Sequence, residues 1–410
     1  MASTSARPVL LEAVLTLNAS SAPGLGPDMD EAYTLQVPAD GTPAGVEARS
    51  VHGAMRGLES LLQLVNFTTP SMPAPVAIDD APQFAYRGLM VDTGRHFLPP
   101  ELLRKLIDGL AATKMNVLHW HITDEESFPL RLRGFEDLAD MGAYARGAVY
   151  TEADVLALVE YAAERGVRII PEIDIPAHSS FGRARPSLTT ATCRGTLDPT
   201  SDATYAFLAA FLSRVVALFP DPYLMLGGDE VNAHCFSRDA NISAWMAAHG
   251  YNGSTLQNHF WRRVQRDVMP ALPQRRTLYL WMSDDPNAAS TEPGKTVSHP
   301  MSLDVLDANT TVLNVYQRMS RANTTLAAGF GTTLSIGWQN ASNPFGLGWY
   351  LPRLAPWERR YTRLPCVELH CDARTRRLLL GGETCAWGTV INKASPHPHP
   401  HPQPDTLVTS

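Results

Sequence analysis

The stretch LGGDEVN, Leu226–Asn232, sets two adjacent carboxylates, Asp229 and Glu230, behind two glycines at the end of the apolar run 223–226. Neighbouring side chains of a regular strand point to opposite faces. Both acids can therefore enter one pocket only where the strand stops and the glycines let the backbone turn. A carboxylate pair at a strand end is where parallel barrel enzymes hold their chemistry. An isolated Asp-Glu pair is more often a surface loop, and the rest of the chain has to decide between the two readings.

Outward from this point, apolar strand-like runs alternate with amphipathic helices. Strands are expected near 86–92, 116–122, 167–174, 223–227, 277–282, 312–316, 332–336 and 377–382. Helices are expected over 99–114, over 152–165 behind the capping Thr151, over 204–219 and over 254–269. Eight strands joined by helical crossovers make an α/β chain of the (β/α)8, or TIM barrel, class. An open doubly wound sheet has the same periodicity and stays open as an alternative. Residues 1–84 read as a small α/β domain in front of the barrel: 32–37 alternates like a strand, and 46–65 puts Val51, Met55, Leu58, Leu61, Leu62 and Val65 at helical spacing. The proline-rich stretch 70–82 reads as a linker, the barrel as 85–390, and 391–410 as an extended tail. In that tail His397, His399 and His401 alternate with prolines, which favours an extended chain over a metal site.

Composition narrows the function classes. Of the 410 residues, 44% are hydrophobic and 18% charged, and the net charge of -7 gives no electrostatic reason to expect nucleic acid or an anionic membrane as partner. No apolar run is long enough to span a bilayer. N-x-[ST] acceptors at Asn18, Asn66, Asn241, Asn252, Asn309, Asn323 and Asn340 point to the secretory pathway, with a signal peptide expected upstream of this sequence. Five cysteines fit an oxidising compartment, and the absence of a C-x-x-C pair argues against a zinc or redox site.

Four consecutive strand ends carry polar clusters. The first strand holds Arg87 and leads to Asp92, Thr93, Arg95 and His96; the second runs through His119 and His121 to Asp124 and Glu125. The third ends in Glu172, Asp174 and His178, and the fourth in Asp229 and Glu230. Singly, each has a dull explanation: the two histidines of the second strand suit a core wall, and Asp174 suits a cap. Trp281, Trp338, Trp349 and Trp387 then fall near the ends of later strands, where rings can stack on a sugar face. Neither a phosphate loop nor a dinucleotide fingerprint is present. Carboxylates and aromatic walls without a cofactor motif point to glycoside hydrolysis.

At these residues the chain resembles the β-N-acetylhexosaminidases of glycoside hydrolase family 20, including the lysosomal subunits. The stretches that carry the resemblance are RGLMVDTGRHFLP (87–99), NVLHWHITDEESFP (116–129), EIDIPAH (172–178), YLMLGGDEVN (223–232) and GGETCAWG (381–388). The helix RSVHGAMRGLESLLQLV (49–65) is similar to that family's amino-terminal domain. The resemblance implies an exo-acting, retaining, substrate-assisted enzyme that calls for no metal and no cofactor. Glu230 would be the general acid and base, Asp229 the partner of the substrate's acetamido group, and His178 with Asp124 a relay behind the acid. It further implies that Arg87 grips sugar hydroxyls, that Trp281, Tyr316 and Trp387 wall the pocket, that Tyr350 donates to the acetamide, and that Cys193 pairs with Cys235. The partner is a glycan with a terminal N-acetylhexosamine, with a lysosomal, vacuolar or extracellular location and a homodimer among the assemblies relatives adopt.

The chain also departs from that pattern. Tyr316 replaces a tryptophan, Pro352 and Thr389 stand where hydroxyl-binding side chains are expected, and the Pro/His tail replaces a last barrel helix. Tyr316 still provides a ring; Pro352, Thr389 and the missing helix motivate the alternative of a catalytically impaired glycan-binding protein on the same fold.

Overall fold

Strand β1 (Ala13–Leu17), β2 (Tyr33–Val37), β3 (Ala44–Ala48) and β4 (Val76–Asp80) form a sheet in the order β1-β3-β2-β4, with helix α1 (Val51–Leu64) packed on it. The computed structural model describes residues 12–18, 24–190, 192–193, 195–229, 231–273, 277–279, 329–331 and 381–386. The expected helix over 46–65 starts later. Val46 lies inside β3 and is fully buried with Leu35, and Ser50 caps the helix by accepting from the Gly53 amide at 2.9 Å. Part of the proline-rich 70–82 stretch is likewise a strand, β4, which pairs antiparallel with β2 through Val76 and Ile78. Its alternating apolar residues suit an edge strand, where proline before the pairing region is tolerated.

The second sheet begins with β5 (Tyr86–Asp92). Then come α2 (Pro100–Ala112), β6 (Val117–Thr123), β7 (Leu130–Arg131), α3 (Glu136–Gly142), β8 (Tyr150–Thr151), α4 (Glu152–Ala163) and β9 (Arg168–Ile173). After these come α5 (Phe181–Ala184), α6 (Asp202–Leu218), β10 (Tyr223–Met225), α7 (Ala233–Arg238), α8 (Ala240–His249), α9 (Gly253–Arg263), β11 (Thr277–Tyr279), β12 (Gly329–Gly331) and β13 (Gly381–Ala386). The order across the large sheet is β11-β10-β9-β6-β5-β13-β12, and every paired neighbour is parallel. The first strand of this sheet therefore sits between the second and the last. An open doubly wound sheet does not pair its first strand with its last in this cyclic sequence, whereas a closing barrel must. The fold is the (β/α)8 barrel preceded by a small α/β domain.

One detail corrects the sequence-based boundaries. The last strand runs Gly381–Ala386 rather than 377–382, because its backbone register with Tyr86–Val91, not its apolar content, fixes it. The strands expected at 312–316 and 332–336 lie outside the described residues. The helices follow their signals closely: α4 starts at a reciprocal cap in which the Thr151 hydroxyl accepts from the Asp154 amide at 3.2 Å and Asp154 accepts from the Thr151 amide at 2.9 Å. Trp120 and Ile122 of β6 face the helix layer, packed with Tyr150, Phe219 and Leu158 in the main core.

A buried charge cluster ties the two sheets together. Glu31 accepts from Arg56 at 2.8 Å, from Arg87 at 2.7 Å and from the Asn116 amide at 3.1 Å, while Arg56 also donates to the Gly166 carbonyl at 3.2 Å. Glu31, Arg56 and Asn116 are all buried. Removing one partner from such a cluster leaves an uncompensated charge out of water.

Candidate active site

Alternation decides which side chains of β6 enter the barrel. With Trp120 and Ile122 outward, His119 and His121 point inward, and the parallel register brings His121 level with Glu172 of β9. Glu172 is fully buried; its Oε2 lies 2.6 Å from His121 Nδ1 and 2.9 Å from His119 Nε2. His121 Nε2 is 3.0 Å from Asp124 Oδ2, so both its ring nitrogens are engaged by carboxylates. Burial opposes a charge on His121, but the negative charge of Glu172 and the bonds from Asp124 and Glu172 outweigh it and raise its pKa well above the ordinary imidazole value.

Asp124 is where the strand ends converge. Besides His121, it lies 2.7 Å from the Arg95 guanidinium and 3.1 Å from His178 Nδ1. Burial pushes its carboxyl up, yet the hydrogen bonds from His121 and His178 and the charges of His121 and Arg95 hold it far below the usual carboxylate range. Arg95 is itself anchored on Asp92 at 3.0 Å, and its backbone amide donates to the same carboxylate. His178 holds φ 51, a left-handed value uncommon for a residue with a Cβ, and its ring reaches Asp124 from the loop after β9.

The turn after β10 is built as its glycines suggest. Gly227 and Gly228 take φ 65 and φ 103, and Gln257 Nε2 donates to the Gly228 carbonyl at 3.0 Å, so Asp229 leaves the strand direction at the barrel's mouth, half-buried. A Cβ on Gly227 would stand 1.1 Å from Asp174 Oδ1. The buried Asp174 carboxyl therefore fills the space that a side chain at 227 would need. Burial, with the charges of Glu172 and Asp229 adding to it, pushes the Asp174 carboxyl well up, toward its neutral form. Gly227→Ala is expected to cost roughly 2 kcal/mol or more from the φ value and the collision, read as a lowered thermal midpoint together with lost activity.

His121, Glu172 and Asp174, and likewise Asp124, Asp174 and His178, bring ligand-type atoms within 4.8 Å of one another. In the first group the ring of His121 has no lone pair left for an ion, since Glu172 and Asp124 take both nitrogens. The arrangement is better suited to moving and holding protons than to a cation.

Residues 84–399 match the family described as glycosyl hydrolase family 20, catalytic domain, and residues 4–64 match that described as beta-acetyl hexosaminidase like. The chain belongs to glycosyl hydrolase family 20. That makes it a glycosidase by family. It is 34% identical to Beta-hexosaminidase 3 of Arabidopsis thaliana over 93% of this chain and 68% of that one. Against Beta-hexosaminidase subunit beta of Mus musculus it is 31% identical over 94% and 69%. Among solved structures, the chitobiase of Flavobacterium johnsoniae superposes with a TM-score of 0.72 at 25% identity, covering 92% of this chain and 55% of that one. The exo beta-N-acetylglucosaminidase of Vibrio harveyi shares the fold with the same score at 24% identity, over 93% and 61%. The family-20 chain thus spans about two thirds of the curated relatives and less of these solved structures.

Within this family-20 barrel, Asp124, His178 and Asp229 gather at the strand ends, and Cys193 and Cys235 lie at disulfide distance, Cα atoms 5.2 Å apart. Arg87 does not join them, which corrects the expectation that it grips sugar. It is the second residue of β5, at the opposite end of the barrel from Asp92, and its guanidinium is spent on Glu31, the Phe84 carbonyl at 2.7 Å and the Lys114 carbonyl at 2.9 Å. The guanidinium at the strand ends is Arg95, and position along the strand was the signal: Arg95 follows the last strand residue by three. Glu230, Trp281, Tyr316, Tyr350 and Trp387 lie outside the described residues.

Proposed function

We propose that this chain is an exo-acting, retaining β-N-acetylhexosaminidase that removes terminal β-linked N-acetylglucosamine or N-acetylgalactosamine with help from the substrate's own 2-acetamido group. The observation that carries the reading is Asp124 held jointly by Arg95, His121 and His178 beside the Asp229 turn. The β-hexosaminidase names of the relatives support it. Glu230 gives its proton to the glycosidic oxygen while the acetamide carbonyl oxygen attacks the anomeric carbon and the aglycone leaves as an alcohol. Asp229 accepts from the acetamide N–H and balances the positive charge of the oxazolinium-like intermediate. Glu230, now ionised, takes a proton from water, which attacks the same carbon and reopens the ring with net retention.

His178 and Asp124 act behind the acid, and Arg95, with 15% of its side chain exposed, takes the hydroxyl-gripping role in place of Arg87. Trp281, Tyr316 and Trp387 wall the acetamido pocket, with Tyr350 as donor. The four described sequon asparagines, Asn18, Asn66, Asn241 and Asn252, are all exposed, which supports a secretory, lysosomal or extracellular location. No helix of the described residues is long and apolar enough to cross a membrane. The test compares 4-nitrophenyl N-acetyl-β-glucosaminide with the plain β-glucoside from pH 3 to 8. A preference of at least about 10³-fold for the acetamido sugar is expected from an intramolecular nucleophile. Equal cleavage would remove substrate assistance, and no cleavage by a folded chain would favour the glycan-binding alternative.

A further inference from the structure

Helix α9 and its continuation turn Gln257, Phe260, Trp261 and Val264 inward, at the i, i+3, i+4, i+7 spacing of a buried helix face. Phe260, Trp261 and Val264 belong to the main core. Gln257 is the polar member of the stripe and is only 4% exposed. An amide in such a place costs stability unless it is bonded. Its Nε2 donates to the Gly228 carbonyl at 3.0 Å, reaching 29 residues back along the chain to the peptide that leads into Asp229.

Gly227 is fixed sterically, by the Asp174 carboxyl that fills its Cβ position, whereas Gly228, at φ 103 and without a Cβ, resists rotation of its following peptide very little by itself. The bond from Gln257 supplies that restraint. The preceding residue of α9 works on the far side of position 230: Leu256, fully buried, lies in a satellite core with Val231, Cys235, Cys193 and Ala177, the last being the chain neighbour of His178. Two successive residues of one helix thus hold the chain before and after position 230, one by a directional bond and the other by packing. We propose that Gln257 is a positioning residue for Asp229, setting the plane of the Gly228–Asp229 peptide and so aiming the Asp229 carboxylate at the substrate's acetamido N–H. The proposal rests on the hexosaminidase reading, in which Asp229 has to balance a charge that arises only after the acetamide has attacked.

The experiment measures kcat and KM for 4-nitrophenyl N-acetyl-β-glucosaminide from pH 4 to 8 with the unaltered chain, Gln257→Met, Gln257→Glu and Val264→Ala. Methionine keeps the volume and removes the donor. Gln257→Met is expected to lose about 10- to 100-fold, the scale of a reacting group misplaced by about 1 Å, with the larger part in kcat rather than KM. Glutamate regains a donor only when its buried carboxyl is protonated. The kcat of Gln257→Glu, relative to the unaltered chain, should therefore rise about fivefold or more as pH falls from 8 to 4, while the Gln257→Met ratio stays flat. Val264→Ala opens a cavity on the same stripe, so it should lower the thermal midpoint and leave kcat within about twofold. Full kcat in Gln257→Met, or a Gln257→Glu ratio that does not move with pH, would reduce Gln257 to packing and overturn the proposal; the glutamate variant carries the test if the methionine variant does not fold. If the unaltered chain cleaves nothing, the hexosaminidase reading fails by itself, and calorimetric titration with N-acetylglucosamine then decides. A Kd raised about threefold or more in Gln257→Met sustains the positioning role at a sugar site, and binding that is absent or indifferent to the change ends it.

Discussion

Glu230→Gln is expected to lower kcat/KM for an aryl N-acetyl-glucosaminide by about 10²–10⁴-fold, the usual worth of a positioned general acid and base. Asp229→Asn is expected to lose about 10²–10³-fold, as for a group aimed at charge that appears only in the transition state. The two changes separate by substrate. An aglycone that leaves readily as an anion needs little protonation, so a dinitrophenyl glycoside should recover much of the Glu230→Gln loss and little of the Asp229→Asn loss. Azide added to Glu230→Gln should give the β-glycosyl azide, because attack on the intermediate by an anion needs no general base. The geometry at Asp229 sharpens the second expectation. Its turn is locked by Gly227 against the Asp174 carboxyl and by Gln257 on Gly228, so the asparagine variant keeps its place and loses only its charge. If Asp229→Asn retained full activity, the acetamido partner would have to be another group.

Glu172→Ala is expected to destabilise the fold by about 3–5 kcal/mol, since it leaves His119 and His121 buried without the acid that faces both. For a domain of this size that is a fall of roughly 6–20 °C in the thermal midpoint. The same cluster sets a pH window. The raised pKa of His121 gives stability that is complete below its unfolded value of 6.5 and is lost as pH climbs through the folded value. The lowered pKa values of Asp124 and Glu172 give stability that is complete above 3.8 and 4.5 and is lost as pH falls through the folded values. All three contributions are therefore whole between about 4.5 and 6.5. Asp174, whose carboxyl burial raises, works the other way, losing stability as pH climbs above 3.8. Urea unfolding across pH should therefore show a maximum at the acid end of that window, with falling stability on both sides, and Glu172→Ala should flatten that profile. A stability maximum above pH 8 would contradict the assignment.

Much of this was legible in the residues because barrels repeat one local rule. The strand ends announced themselves through Asp92, Asp124, Asp174 and Asp229, each just beyond an apolar run. The Gly227-Gly228 pair foretold a turn that takes two left-handed values. Arg87 misled because a charged residue near a strand looks alike at either end, and only its distance from Asp92 tells which end of the barrel it serves. Its partner, Glu31, lies just before β2 of the small domain, 56 residues earlier, and no local pattern signals a contact of that kind. The strand β4 was hidden by the prolines on either side of it, and the true start of α1 by Val46, whose apolar side chain fits a helix period and a strand period equally well.

The pairing of β13 with β5 joins Gly381 to Tyr86, 295 residues earlier in the chain. At about 5–20 residues per second of synthesis, one edge of β5 waits roughly 15–60 s for its partner to be made. An exposed strand edge of that duration invites pairing with the wrong chain. The amino-terminal sheet, complete by Asp80, is already finished when β5 emerges, and Glu31 takes hold of Arg87 at the strand's first turn of pairing. The small domain is thus placed to act as a nascent-chain clamp, orienting the opening strand of the barrel long before the strand that closes it exists.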